Sequence, residues 1–120
     1  MKQTLFDKYG GFKTFSQITS NFYLKVLDSP QLSPFFKGID MKVMINHQAN
    51  FLSQSLGGPV TYDINKDFSK FHAHLRITNE HYNEIIELLT EALEDADVES
   101  KDIDYIDKVI NSFRKVVVNA

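Results

Sequence analysis

The sequence predicts an all-α fold, and three observations carry that prediction. Apolar residues recur at three-to-four spacing in successive stretches, and Gly and Pro punctuation cuts the chain into helix-length pieces. The one stretch with strand propensity, Val116-Val117-Val118, has no partner strand elsewhere, so it reads as the end of a helix.

After a break at Gly10-Gly11, Phe12 to Leu27 places Phe12, Phe15, Ile18, Phe22, Tyr23, Val26 and Leu27 on one helical face. Asp28-Ser29-Pro30 ends that helix, because the residue before proline avoids the helical region. An aromatic corner follows, Leu32-Ser33-Pro34-Phe35-Phe36, closed by Gly38. Asp40 caps the next helix, Met41 to Leu56, which carries Met44, Ile45, Gln48, Phe51 and Leu52 on one side. Gly57-Gly58-Pro59 stops it, and Val60 to Asn65 reads as a loop. A shorter helix from Lys66 to Leu75 holds Phe68, Phe71, His72 and Leu75. Thr78 reads as a plain N-cap, since His81 stands three residues later where a capping box has Glu or Gln. The helix it opens runs to about Ala96 with Tyr82, Ile85, Ile86, Leu89 and Leu93 on one face. Ser100 caps a final helix, with Ile103, Ile106, Val109, Ile110, Phe113 and Val117.

Composition narrows the function classes. A chain of 120 residues has room for one domain, 1–120. The net charge is −3 and no basic stripe is present, which argues against nucleic acid as a partner. Cysteine is absent, which removes disulfides, thiolate metal sites and cysteine nucleophiles together. No apolar run approaches the ~20 residues that span a membrane, and the first residues lack a secretory apolar core. The expectation is a soluble cytoplasmic protein, a monomer or weak dimer, with no membrane partner. Ten phenylalanines and five tyrosines suit a small core or an apolar pocket for a flat organic group. The four histidines form no His-x-x-x-His pair, so a hydrolytic zinc centre has no ligand set at helical spacing.

Two side chains stand out on otherwise apolar faces. On the short helix, at ~100° per residue, His72 shares a side with Phe68, Phe71 and Leu75, while His74 points roughly 160° away. Burying an imidazole without a partner is costly. From the helix alone, a core histidine with a local hydrogen bond is the better reading and a metal ligand the other. Gln48 is out of place beside Met44, Phe51 and Leu52 unless a polar atom meets it there.

The ordered set of motifs resembles the group I truncated haemoglobins. It comprises Phe6-Asp7-Lys8-Tyr9-Gly10-Gly11, Asn21-Phe22-Tyr23 with Val26-Leu27, Leu32-Ser33-Pro34-Phe35-Phe36, and Asp40-Met41. It continues through His47-Gln48 with Phe51, Leu56-Gly57-Gly58-Pro59, Tyr62, His72, Ile77-Thr78 and His81-Tyr82. Each piece alone is weak; in this order they cover the chain from about Leu5 to Phe113. The resemblance implies a two-over-two helical sandwich around haem b, with His72 as the proximal iron ligand and a backbone carbonyl on its other ring nitrogen. It implies Tyr23 and Gln48 as distal donors to a bound gas, with Phe22 and Met44 beside them. Phe36, Phe51, Leu52, Phe68, Phe71, Leu75 and Tyr82 would contact the haem, and Tyr62 and Lys66 its propionates. Between Tyr62 and His72 the chain carries one residue more than is usual in that family, which puts Phe68 where a haem-edge methionine often lies. His47, at the edge of the apolar face, has two readings: a sixth iron ligand, as in some relatives, or a partner of propionate or solvent.

The implied function is reversible binding of dioxygen, and of nitric oxide or carbon monoxide, at the haem. Nitric oxide dioxygenation is a second implied activity; it needs a separate reductase, because this chain has no flavin or nicotinamide domain. The alternative from another class is a non-haem helical sensor or protein-interaction module.

Overall fold

A computed structural model of the chain describes residues 4–58 and 77–118. His72 lies outside the described residues, as do the loop and short helix expected over 60–75 with Tyr62, Lys66, Phe68, Phe71 and Leu75.

The described residues form helices α1 (Leu5–Lys8), α2 (Phe12–Leu27), α3 (Met41–Ser55), α4 (Asn79–Asp95), α5 (Ser100–Asn111) and α6 (Arg114–Val117), with a 3-10 turn over Ser33–Phe36. Helix α2 packs against α3 and α4, and α4 packs against α5, so two helix pairs lie one on the other. Of the stripe predicted on α2, Phe15, Ile18, Phe22, Tyr23 and Val26 enter the core, whereas Phe12 and Leu27 at the two helix ends are exposed, as is Leu24 on the far side. Burying such side chains contributes about 1.5–3 kcal/mol each, which is why pattern rather than propensity decides these helices.

Caps follow the sequence at some ends and depart from it at others. The Asp40 carboxylate accepts from the backbone N–H of Lys42 at 3.0 Å and of Val43 at 3.4 Å, as expected of an N-cap. Thr78, expected as a plain cap, belongs to a full capping box: its hydroxyl accepts from His81 N–H, and His81 Nδ1 accepts from Thr78 N–H, both at 3.1 Å. An imidazole nitrogen with a free lone pair does there what a carboxylate does in the usual box. At α5 the cap position falls on Glu99 without a side-chain bond, and Ser100 is the first helical residue. The last helix is also not continuous. Ser112 Oγ donates to the Val109 carbonyl at 2.5 Å, a local bond that competes with the helical ladder, and the chain restarts as α6. Val118 then forms an isolated parallel bridge with Ile77, giving the closing valines one extended partner that the sequence had not indicated.

Helix α1 is too short for periodicity to reveal, and tertiary contacts hold it. Thr4 caps it, Phe6 N–H donates to the Leu56 carbonyl at 3.1 Å, and the chain after α3 passes close by. Gly57 has a φ of +102°, and a Cβ there would sit 2.6 Å from Thr4 Cβ; a Cβ on Gly58 would sit 2.8 Å from the Ser53 carbonyl oxygen. The paired glycines therefore end α3 and admit the N-terminal segment against it.

At the other end of α1, Tyr9 Oη donates to Asp102 Oδ2 at 2.5 Å and accepts from Glu99 N–H at 3.1 Å. Lys8 Nζ lies 2.7 Å from the same carboxylate and 3.2 Å from Glu99. The Lys8 ammonium first, then the Tyr9 hydroxyl, hold the Asp102 carboxyl below the usual carboxylate range. A carboxyl lowered on folding stabilises the fold above its unfolded pKa and loses that contribution as pH falls through the folded one. Thermal unfolding is therefore expected to lose part of its stability as pH drops below about 4, the ordinary carboxylate range. Asp102→Asn should lower the melting temperature at neutral pH and flatten that acid limb. An unchanged acid limb in Asp102→Asn would show that the latch does not contribute.

Candidate functional site

The buried faces of α2, α3, α4 and α5, with the 3-10 turn, converge on one largely apolar cavity. From α2 come Thr19, Phe22, Tyr23 and Val26; from the turn region Leu32, Phe35 and Phe36; from α3 Gln48, Phe51 and Leu52. Ile77, Tyr82, Ile85 and Leu89, with Ile110, close the other side. Of the sequence-nominated residues, the structure brings together Tyr23, Gln48, Phe22, Phe36, Phe51, Leu52 and Tyr82. Met44 is buried in the core but does not line the cavity, and neither does half-buried His47.

Four polar side chains line this wall, and two of them are already committed. Thr19 Oγ1 donates to the Phe15 carbonyl at 2.7 Å, and Tyr82 Oη donates to the Ile110 carbonyl at 2.5 Å. Tyr23 and Gln48 differ. Gln48 Nε2 is buried with no hydrogen-bond partner. The Tyr23 hydroxyl bonds to none of the described residues, although the side chain is only 6% exposed. Burial pushes the Tyr23 phenol well above its ordinary range, so it keeps its proton and remains a donor. Its ring is fixed edge-on against Phe22 at 4.9 Å and against Phe36 at 5.6 Å between centroids. An unsatisfied buried donor costs about 1–3 kcal/mol, so the Gln48 amide, in the wall of the same apolar cavity as the Tyr23 hydroxyl, marks a place where an acceptor belongs.

Several wall residues were not singled out in the sequence: Thr19, Val26, Leu32, Phe35, Ile77, Ile85, Leu89 and Ile110. Thr19, Val26, Ile85, Leu89 and Ile110 lie on helices, where spacing is the same for a packed core and for a cavity wall, and Leu32, Phe35 and Ile77 lie outside the α-helices, where period says nothing. Phe35 was visible only as part of an aromatic corner; here it also meets the His81 ring edge-on at 4.9 Å. Among the described residues no group of three His, Cys, Asp or Glu could hold a metal ion.

Comparison with known proteins agrees with this geometry. Residues 4–119 match the model of the bacterial-like globins. The chain is 34% identical over 115 residues to a group 1 truncated haemoglobin of Tetrahymena pyriformis, covering 96% of this chain and 88% of that one. It is 32% identical over 103 residues to a group 1 truncated haemoglobin of Mycolicibacterium paratuberculosis, covering 86% and 75%. The crystal structure of the Tetrahymena pyriformis protein in its Fe(III) form superposes with a TM-score of 0.89 at 33% identity, over 98% of this chain and all of that one. By matched length, identity and two-over-two helical architecture, the chain belongs to the bacterial-like globins and, within them, to the group 1 truncated haemoglobins.

Proposed function

We propose that this protein binds a diatomic gas reversibly at a haem b seated on His72, with Tyr23 and Gln48 as the donors that retain the gas. The carrying observation is the buried, unpartnered Nε2 of Gln48 in the same apolar wall as the protonated Tyr23 hydroxyl. The residues present fit the group. A flat apolar macrocycle suits a wall of phenylalanine and aliphatic side chains, and a polarised diatomic ligand supplies the acceptor that the two donors lack. When bound, haem supplies an iron centre that takes up dioxygen, nitric oxide or carbon monoxide. The chain supplies the rest. Phe22 and Phe36 hold the Tyr23 ring, α3 presents the Gln48 amide, and the apolar wall excludes competing water.

His72 enters this proposal from its motif position alone, and Phe71 and Leu75 join it as expected haem contacts from the same motif. Phe68, Tyr62 and Lys66 belong to the same proposal as edge and propionate contacts. Tyr82 completes it from α4 through the ring that lines the cavity, while Met44, which the motif also nominates, packs in the core rather than the wall. His47, one residue from Gln48, ligates iron only in a minor population, because Tyr23 and Gln48 already furnish a complete gas pocket. Nitric oxide dioxygenation is a further use of the same site and draws electrons from a separate reductase. We place the protein in the cytoplasm as a monomer or weak dimer. No described helix is long and apolar enough to cross a membrane.

Optical spectra test this directly. The purified protein is expected to show a Soret band, a mainly five-coordinate ferrous spectrum, and a sharp Soret shift with carbon monoxide. His47→Ala should remove the minor six-coordinate fraction. A protein that takes up no haem when supplied with it would overturn the proposal in favour of a sensor or interaction module.

A further inference from the structure

Outside the cavity, one side chain is engaged on every face. Arg114, the first residue of α6, lays its guanidinium over the Tyr82 ring, 4.9 Å from the centroid. The same group donates from Nη2 to Asn83 Oδ1 at 2.8 Å, from Nη1 to Asn79 Oδ1 at 3.1 Å and to the Asn79 carbonyl at 3.3 Å, and from Nε to Asn111 Oδ1 at 3.0 Å. These partners are amide and carbonyl oxygens rather than carboxylates, so direction decides this contact more than net charge. A planar fork satisfies that geometry; the single ammonium of lysine cannot.

Tyr82 passes the constraint inward. Its ring has Arg114 on one side and forms cavity wall on the other, and its hydroxyl is fixed on the carbonyl of Ile110, itself a wall residue. Asn79 and Asn83 flank Tyr82 on α4, and Asn111 follows Ile110 on α5. The guanidinium thus ties together the two backbone segments that carry these wall side chains.

We infer that Arg114 is a positioning residue for the gas cavity: through Tyr82 and Ile110 it sets how tightly the wall opposite Tyr23 and Gln48 confines a ligand. This rests on the haem reading above, and it assigns a role to a residue that touches neither haem nor gas. The geometry separates it from a purely structural clamp. Removing Asn83 takes one bond from the clamp but leaves the guanidinium over the ring, whereas removing Arg114 takes away that contact and leaves Tyr82 tied to Ile110 through its hydroxyl.

Flash photolysis of the carbon monoxide complex supplies a readout that stability alone does not move. Part of the released gas rebinds from inside the cavity, and that fraction reports how closely the wall confines it. In the holoprotein, Arg114→Ala is expected to lower the internally recaptured fraction about twofold. Arg114→Lys should fail to restore it, and Asn83→Ala should keep the wild-type fraction despite a lower melting temperature. Wild-type recapture in Arg114→Ala, or in Arg114→Lys should the alanine variant not fold, would overturn the inference. So would equal losses of recapture in Asn83→Ala and Arg114→Ala, since the effect would then follow stability. A wild-type protein that forms no carbon monoxide complex would instead overturn the haem reading, and this inference with it.

Discussion

His72→Ala is expected to come through purification with little or no haem, its Soret absorbance down at least about tenfold relative to protein, while His74→Ala retains haem. The reason lies in the short helix. By its spacing in the sequence, His72 is expected on one side with Phe68, Phe71 and Leu75, and His74 away from them. Removing the axial nitrogen leaves the macrocycle held by apolar contact and propionate pairing alone, and surface pairs contribute only about 0–1 kcal/mol each. Added imidazole should restore part of the Soret band in His72→Ala by filling the space the side chain left. Haem loss in His74→Ala together with a normal spectrum in His72→Ala would transfer the proximal role to His74.

Tyr23→Phe should raise the oxygen dissociation rate about tenfold, and Gln48→Leu should raise it by a smaller factor. A hydrogen bond to a charge-bearing acceptor is worth about 1.5–3 kcal/mol, and 1.4 kcal/mol is a factor of ten. Both side chains are available as donors: the Tyr23 hydroxyl bonds to none of the described residues, and Gln48 Nε2 is buried without a partner. Tyr23→Phe keeps the ring against Phe22 and Phe36, so the wall should survive and the change should isolate the hydroxyl. Stopped-flow displacement of oxygen by carbon monoxide measures both rates.

Much of this architecture is legible in the residues before any coordinates. The stripe from Phe15 to Val26 and the amide of Gln48 among apolar neighbours already point inward, because period and burial follow from the same helix geometry. Asp40 is equally readable, since a carboxylate before an apolar-periodic run has an immediate use at the free backbone donors. What stayed hidden depends on side-chain orientation or on contacts between distant segments. Residue type alone does not show that His81, three residues after Thr78, completes a capping box, because that needs a ring nitrogen oriented as an acceptor. The interruption between α5 and α6 is also non-local in part: Arg114 reaches back to Asn79 and Asn83, more than thirty residues earlier. Met44 shares the Gln48 side of α3 by spacing, yet it packs into the core rather than the cavity wall. Helical period resolves a face; it does not resolve which part of that face meets protein and which meets a ligand.

The paired donors are the centre of the account, and one rate measures them together. The oxygen dissociation rate of the Tyr23→Phe/Gln48→Leu double variant is expected to exceed that of the wild type by the product of the two single effects, more than about tenfold and less than about a hundredfold. A shortfall from the product of the single effects would report coupling between donors that share one ligand. A double variant that releases oxygen within twofold of the wild-type rate, with its Soret spectrum intact, would contradict the claim that Tyr23 and Gln48 hold the gas.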